Sequence, residues 1–148
     1  MSDWLKLEHF ELHPKQRVEN VQGVEVRILA SPHNVPEAVR GFFDKSKDRF
    51  AIEFKYLDDE EKVSAKSNLP EATFYVGKNS SRLWRIEIDV KALKAKQVTL
   101  TVETPKIVEQ GLRMLQSKPQ AISIEQNYEL ATEAIERKKD QLFEPLHV

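Results

Sequence analysis

The chain contains no cysteine. That removes a disulfide framework, a thiolate nucleophile and any cysteine-ligated zinc or iron–sulfur centre, and it fits a reducing compartment. Only four glycines occur, Gly23, Gly41, Gly77 and Gly111, each isolated. A nucleophile elbow, a phosphate-cradling loop or a dinucleotide fingerprint needs glycines within a few residues of one another, so none can be built. Neither sign of charge dominates: 23 Lys+Arg against 24 Asp+Glu leave a net −1. The basic excess that holds a polyanion is missing. No apolar run nears the roughly 18–20 residues that span a bilayer. The opening Met-Ser-Asp-Trp-Leu-Lys-Leu-Glu lacks the apolar core of a signal peptide. A cytoplasmic protein away from membranes, with no cofactor, is the expectation.

What is present is a chain of 148 residues, 40% hydrophobic and 32% charged. That length fits a single domain over 1–148. It can bury roughly 68–70% of its unfolded surface without a metal or disulfide staple. No internal repeat, low-complexity tract or Gly/Ser linker interrupts it. Residues 58–70 carry the acid run Asp58-Asp59-Glu60-Glu61 and then Lys66-Ser67-Asn68-Leu69-Pro70, which predicts an exposed loop. Residues 1–20 are ambiguous, because Trp4, Leu5, Leu7, Phe10 and Leu12 fit neither a strand nor a helix period.

Five segments alternate apolar and polar residues with period two, the mark of a strand with one covered face. They are Val24–Ala30, Phe50–Tyr56, Ala72–Val76, Trp84–Val90 and Val98–Val102. Clean alternation favours an antiparallel or mixed sheet over a doubly buried parallel one. Gly77-Lys78-Asn79-Ser80-Ser81 suits a hairpin between the third and fourth strands. Between the first two, Asn34 as N-cap, Pro36 in the first turn and Glu37 three residues on predict a helix with the stripe Val35, Val39, Phe42 and Phe43. Thr104-Pro105 predicts a second helix start. Ser123 with Gln126 predicts a third, with the stripe Ile124, Tyr128, Ala131, Ile135 and Leu142. Amphipathic helices and one-sided strands together imply an α+β two-layer sandwich. It would hold a mostly antiparallel or mixed five-stranded sheet, with about three helices packed on one face.

Three constellations could carry chemistry. On a strand, His9, Glu11 and His13 share one face, and two imidazoles with a carboxylate are the ligand set of a non-haem iron or catalytic zinc site. Same-face neighbours lie roughly 6.5–7 Å apart along a strand, too far for one metal without strain, so an exposed polar face competes with a metal site. His33 sits in Ser31-Pro32-His33-Asn34, between a strand and a predicted helix, where acid–base chemistry is common; ordinary loop-and-cap chemistry explains the same residues. The basic stretch from Lys78 to Lys96 holds Lys78, Arg82, Arg85, Lys91, Lys94 and Lys96 against Glu87 and Asp89. With Tyr75 nearby it could grip single-stranded nucleic acid, but Trp84 falls in phase with the core and the overall charge disfavours that partner.

The largest candidate surface is the wet face of the sheet. Leu29, Leu57 and Tyr75 would anchor a partner there, flanked by Arg27 and Arg85, since tyrosine and arginine are enriched at binding hot spots. A solvated face laced with cross-strand ion pairs is the competing explanation. The leading expectation is a small binding or interaction protein that uses this face or a sheet edge for a protein partner or for self-association as a homodimer. The alternatives are a small enzyme, through His9, Glu11 and His13 or through His33, and a nucleic-acid binder.

Overall fold

A computed structural model describes residues 4–7, 17–28, 32–58 and 60–147. In chain order the strands are β1 (Leu5–Lys6), β2 (Arg17–Val21), β3 (Val24–Ile28), β4 (Ala38–Asp44), β5 (Arg49–Lys55), β6 (Val63–Leu69), β7 (Ala72–Gly77) and β8 (Leu83–Asp89). The helices are α1 (Val90–Ala95), α2 (Leu100–Gln116), α3 (Ile122–Arg137) and α4 (Lys139–Leu142). Six strands form one antiparallel sheet in the order β1-β4-β5-β8-β7-β6, and β2 pairs with β3 in a separate hairpin. The architecture is α+β, with the helices layered on one side of the sheet.

The period-two pattern does what its physics requires in the centre of the sheet. Phe50 pairs with Ile88, Ile52 with Ile86 and Phe74 with Ile86, so these side chains share one face. All five are fully buried. On α2, Val108, Leu112 and Leu115 follow at helical spacing, and on α3 Leu130, Ala131, Ala134 and Ile135 do the same. They close over the sheet with Leu142 and Phe143 to make one continuous core. Burying a large apolar side chain contributes about 1.5–3 kcal/mol, so this seam is the main source of stability. Two glycines permit close approaches between the sheet and the helices. A methyl on Gly41 would overlap the Leu142 carbonyl, and one on Gly111 would overlap the Phe74 ring.

Several expectations are overturned. The segment predicted as a helix from Asn34 is a 3-10 turn, Pro32–Asn34, followed by β4. Val39, Phe42 and Phe43 satisfy either period; pairing with β5 on one side and β1 on the other selects the strand. The loop predicted at 58–70 contains β6. It is an edge strand exposed along most of its length, so it needs no apolar alternation and shows none. The strand predicted over Val98–Val102 is instead the start of α2, with Thr99 as N-cap and Pro105 inside the helix. Its alternation is real, but Val102 points to solvent while Thr104 is buried. The last helix breaks at Lys138, whose φ of −116° departs from helical geometry, so the stripe ending in Leu142 belongs to two helices. The segment Val24–Ala30 contributes β3 to the hairpin, not a strand to the main sheet.

Gly111 supplies a test of the α2–sheet seam. Gly→Ala inside a helix ordinarily gains about 1 kcal/mol. Here the new methyl meets the fully buried Phe74 ring, and overpacking costs typically 1–3 kcal/mol. Gly111→Ala is therefore expected to lower the midpoint of chemical denaturation. An unchanged or raised midpoint would mean that Phe74 has room to move.

A binding cleft on the open sheet face

Opposite the helices, cross-strand pairing sorts the outward side chains into rows. One row runs Arg40, Glu53, Arg85 and Tyr75 across β4, β5, β8 and β7. The next runs Phe42, Ala51, Glu87 and Thr73, and a third runs Asp44, Arg49 and Asp89. Charges alternate in sign along the first and third rows. Directly opposed residues on neighbouring strands lie close enough for this to become bonding.

It does so most densely at Arg85. Its Nη1 donates to Glu53 Oε2 at 2.6 Å, its Nε to Glu87 Oε2 at 2.9 Å and its Nη2 to Asp44 Oδ2 at 3.2 Å. Arg40 donates to Glu53 Oε1 from both Nε (2.8 Å) and Nη2 (2.6 Å). Tyr75 donates its hydroxyl proton to Glu87 Oε1 at 3.0 Å. Glu87 is only 5% exposed, because its neighbours on the face cover it. Burial opposes the Arg85 charge, but hydrogen bonds and attraction from Glu53 and Glu87 outweigh it and hold the guanidinium more firmly charged. Burial and the bond to Glu87 both raise the Tyr75 phenol, which stays neutral and donating. The Arg40 guanidinium stacks 4.3 Å from the Trp4 ring centroid and 5.1 Å from that of Phe42, a geometry in which a cation is attracted to the ring face.

A second cluster forms where β8 begins. Tyr75 pairs with Arg85 but Val76 pairs with Leu83, so Trp84 is the extra residue of a β-bulge. The bulge breaks the alternation. Leu83 takes the core position, and Trp84 and Arg85 both reach the open side, where they line a common cleft. Next to them Arg82 is 4% exposed. It donates from Nη1 to the His33 carbonyl (2.9 Å) and to Asp58 Oδ2 (3.2 Å), and from Nε to Ser80 Oγ (2.9 Å). Its Nη2 lies 3.6 Å from Glu61. Glu61 also accepts from Ser80 Oγ and, at 3.1 Å, from Trp84 Nε1. Burial pushes the Glu61 carboxyl up, but these donors and the Arg82 charge together bring it below its ordinary value. Burial, with a smaller push from the Glu61 charge, drives the Tyr56 phenol far up, and its hydroxyl donates to the Leu83 carbonyl at 2.7 Å.

Between the two clusters lies a cleft of about 550 Å³. Arg85, Tyr75, Glu53 and Trp84 line it, with Trp4, Glu37 and Arg40 contributed from the β1–β4 side and Leu57, Asp58, Glu60, Glu61 and Val63 from the other. Leu57 and Val63 on its margin are 50% and 36% exposed. A cleft of this size is in the range that holds a small ligand or an inserted side chain.

Of the residues expected to bind, Tyr75, Arg85 and Leu57 meet in this cleft. Arg27 lies on the separate β2–β3 hairpin, with its side chain outside the described residues, and Leu29 is outside them altogether. His9, Glu11 and His13 also lie outside the described residues. His33 lies outside the cleft lining; its exposed ring places Nδ1 3.1 Å from Asp58 Oδ1. No cluster of three or more metal-ligating side chains occurs among the described residues, and no helix among them is long and apolar enough to cross a membrane. The stretch from Lys78 to Lys96 is not one basic patch. Arg82 and Arg85 are bound to carboxylates, and Lys96 pairs with Glu71. Trp4, Arg40 and Trp84 are the residues that sequence reasoning missed. Trp84 was in phase with the core, and only the bulge takes it out.

Two measurements check this account. Arg85 is part-buried against three carboxylates, so Arg85→Ala should cost about 2 kcal/mol of stability. Arg49, a longer contact (3.7 Å) with Asp89 at the same face, should cost no more than about 0.5 kcal/mol when changed to Ala. Equal losses in urea denaturation would remove Arg85 as the hub. The second concerns pH. The folded-state value of Glu61 lies below its ordinary 4.5, so its contribution is complete above that pH and is lost as pH falls through the lower folded value. The stability gap between wild type and Glu61→Gln should be widest near pH 7 and narrow toward pH 3. A gap that does not change with pH would contradict the assignment. No family model matches this chain, and no match emerges among curated proteins or solved structures.

Proposed function

We propose that the protein is a recognition module that receives a protein partner on the open face of its sheet, with the cleft as the anchor point. The observation that carries this reading is the convergence of Trp4, Tyr75, Trp84, Arg40 and Arg85 in one concavity on the face left bare by the helices. Tryptophan, tyrosine and arginine are the side chains that dominate binding energy at interfaces, chiefly where they sit in a pocket at the centre of the contact. Exposed Leu57 and Val63 at the margin add apolar surface that a partner could cover. A second copy of the chain counts as a partner in this sense.

Truncating Arg85 or Tyr75 would disturb the charge rows as well as the surface. The cleaner probes are Leu57 and Val63, which are exposed and outside the hydrogen-bond network. A photo-crosslinking residue at 57 or 63, introduced in cells that naturally make the protein, should give a discrete adduct of higher mass. The same residue at Val102, exposed on α2, should not. Identical adducts from both faces, or none from the cleft margin, would refute the reading. Sedimentation of the purified protein tells a second copy from a different partner.

A further inference from the structure

We infer that the group entering the cleft is cationic, a lysine or arginine side chain presented by the protein partner. The inference rests on the binding role proposed above and follows from which charges in the cleft are already used. Five carboxylates line it, Glu37, Glu53, Asp58, Glu60 and Glu61, against three cations, Arg40, Lys55 and Arg85. The guanidinium groups are committed. Arg85 is held by Glu53, Glu87 and Asp44, and Arg40 by Glu53 while it stacks on Trp4 and Phe42. Arg82, beside the cleft, is held by Asp58 and Glu61. An incoming anion could reach these guanidinium groups only by displacing a carboxylate from one of these pairs.

Glu37 and Glu60 differ. Both line the cleft, and neither has a side-chain hydrogen bond or ion pair among the described residues. Lys55 is the one lining cation of which the same is true. The charge left for a ligand is therefore negative, two carboxylates against one ammonium. The cleft walls are rich in aromatic rings, and the face already shows how it treats a cation. Arg40 sits on Trp4 and Phe42, and Arg82 sits 5.1 Å from the ring centroids of both Tyr56 and Trp84. Rings and uncommitted carboxylates together favour a flat or alkyl-stemmed cation over a neutral or anionic group.

The chain has two tryptophans, and both line the cleft, so tryptophan emission is read from this site alone. The purified protein is titrated at low salt with N-acetyl-arginine amide and N-acetyl-lysine amide, and with N-acetyl-glutamate amide for comparison. The cationic amides should change the emission saturably, weakly and less so as salt is added. The glutamate amide should not. The double variant Glu37→Gln/Glu60→Gln keeps side-chain size at two partly or fully exposed positions that hold no side-chain hydrogen bond or ion pair among the described residues, so it should fold. It should weaken the cationic amides by roughly five- to tenfold. A flat titration with both cationic amides, equal response to the glutamate amide, or an unaltered affinity in the double variant would each overturn the inference. If cross-links still form at positions 57 and 63 under any of those results, the open-face reading stands and only the cationic occupant is wrong. If they too are absent, both fall.

Discussion

With its helices gathered on one side, the six-stranded sheet has to satisfy the charges of its other side from within that side. An isolated buried or half-buried charge is costly, and among the described residues no helix packs over this face to supply partners. The answer is written in the register. Arg40, Glu53 and Arg85 fall in one row, and Asp44, Arg49 and Asp89 in another, so each charge meets its opposite on the neighbouring strand. Glu87, in the row between, is reached by Arg85, Tyr75 and Lys47. A slip of one residue between β5 and β8 would send these side chains into the core, so the charge rows and the apolar core enforce the same register.

The bulge at Trp84 is the one place where this order is interrupted, and the cleft forms there. A regular strand would have put Trp84 beside Ile86 and Ile88 under the helices. The extra residue instead gives that place to Leu83 and leaves two consecutive large side chains, Trp84 and Arg85, on the open side. Arg82, just ahead of the bulge, ties the β7–β8 turn to one margin of the cleft through Ser80, the His33 carbonyl, Asp58 and Glu61. Bulges commonly re-aim side chains near functional sites, and here the re-aimed side chain is one of the two tryptophans.

Where both faces of an element differ in environment, the amino-acid pattern discloses it. β5 and β7 are legible because each has a dry side and a polar side, and α3 because its apolar stripe runs for several turns. Legibility fails where that contrast is weak. Ser64, Lys66 and Ser67 in β6 lie at a sheet edge and carry no stripe. Val39, Phe42 and Phe43 in β4 fit a helical stripe and a strand equally, and the cap-like Asn34 and Glu37 tilt a local reading the wrong way. Thr99 to Val102 alternate like a strand but lie in the first turn of a helix, where only part of the circumference is covered. Tyr75, Arg85 and Leu57 are identifiable as surface candidates because odd positions face outward. Trp4 and Arg40 are not, since one lies in a stretch without period and the other in a segment that looks helical.

Composition and periodicity alone therefore determined a cysteine-free α+β chain, a sheet with one apolar side, and the alternating charges that cover its other side. These are local quantities, set by whether successive side chains prefer water. The order of the strands, the identity of β4 and β6, the separation of the β2–β3 hairpin and the cleft itself were decided only in three dimensions. Each depends on contacts between residues far apart in the chain, such as Arg82 with His33 and Arg85 with Asp44, and no window of neighbouring residues contains that information.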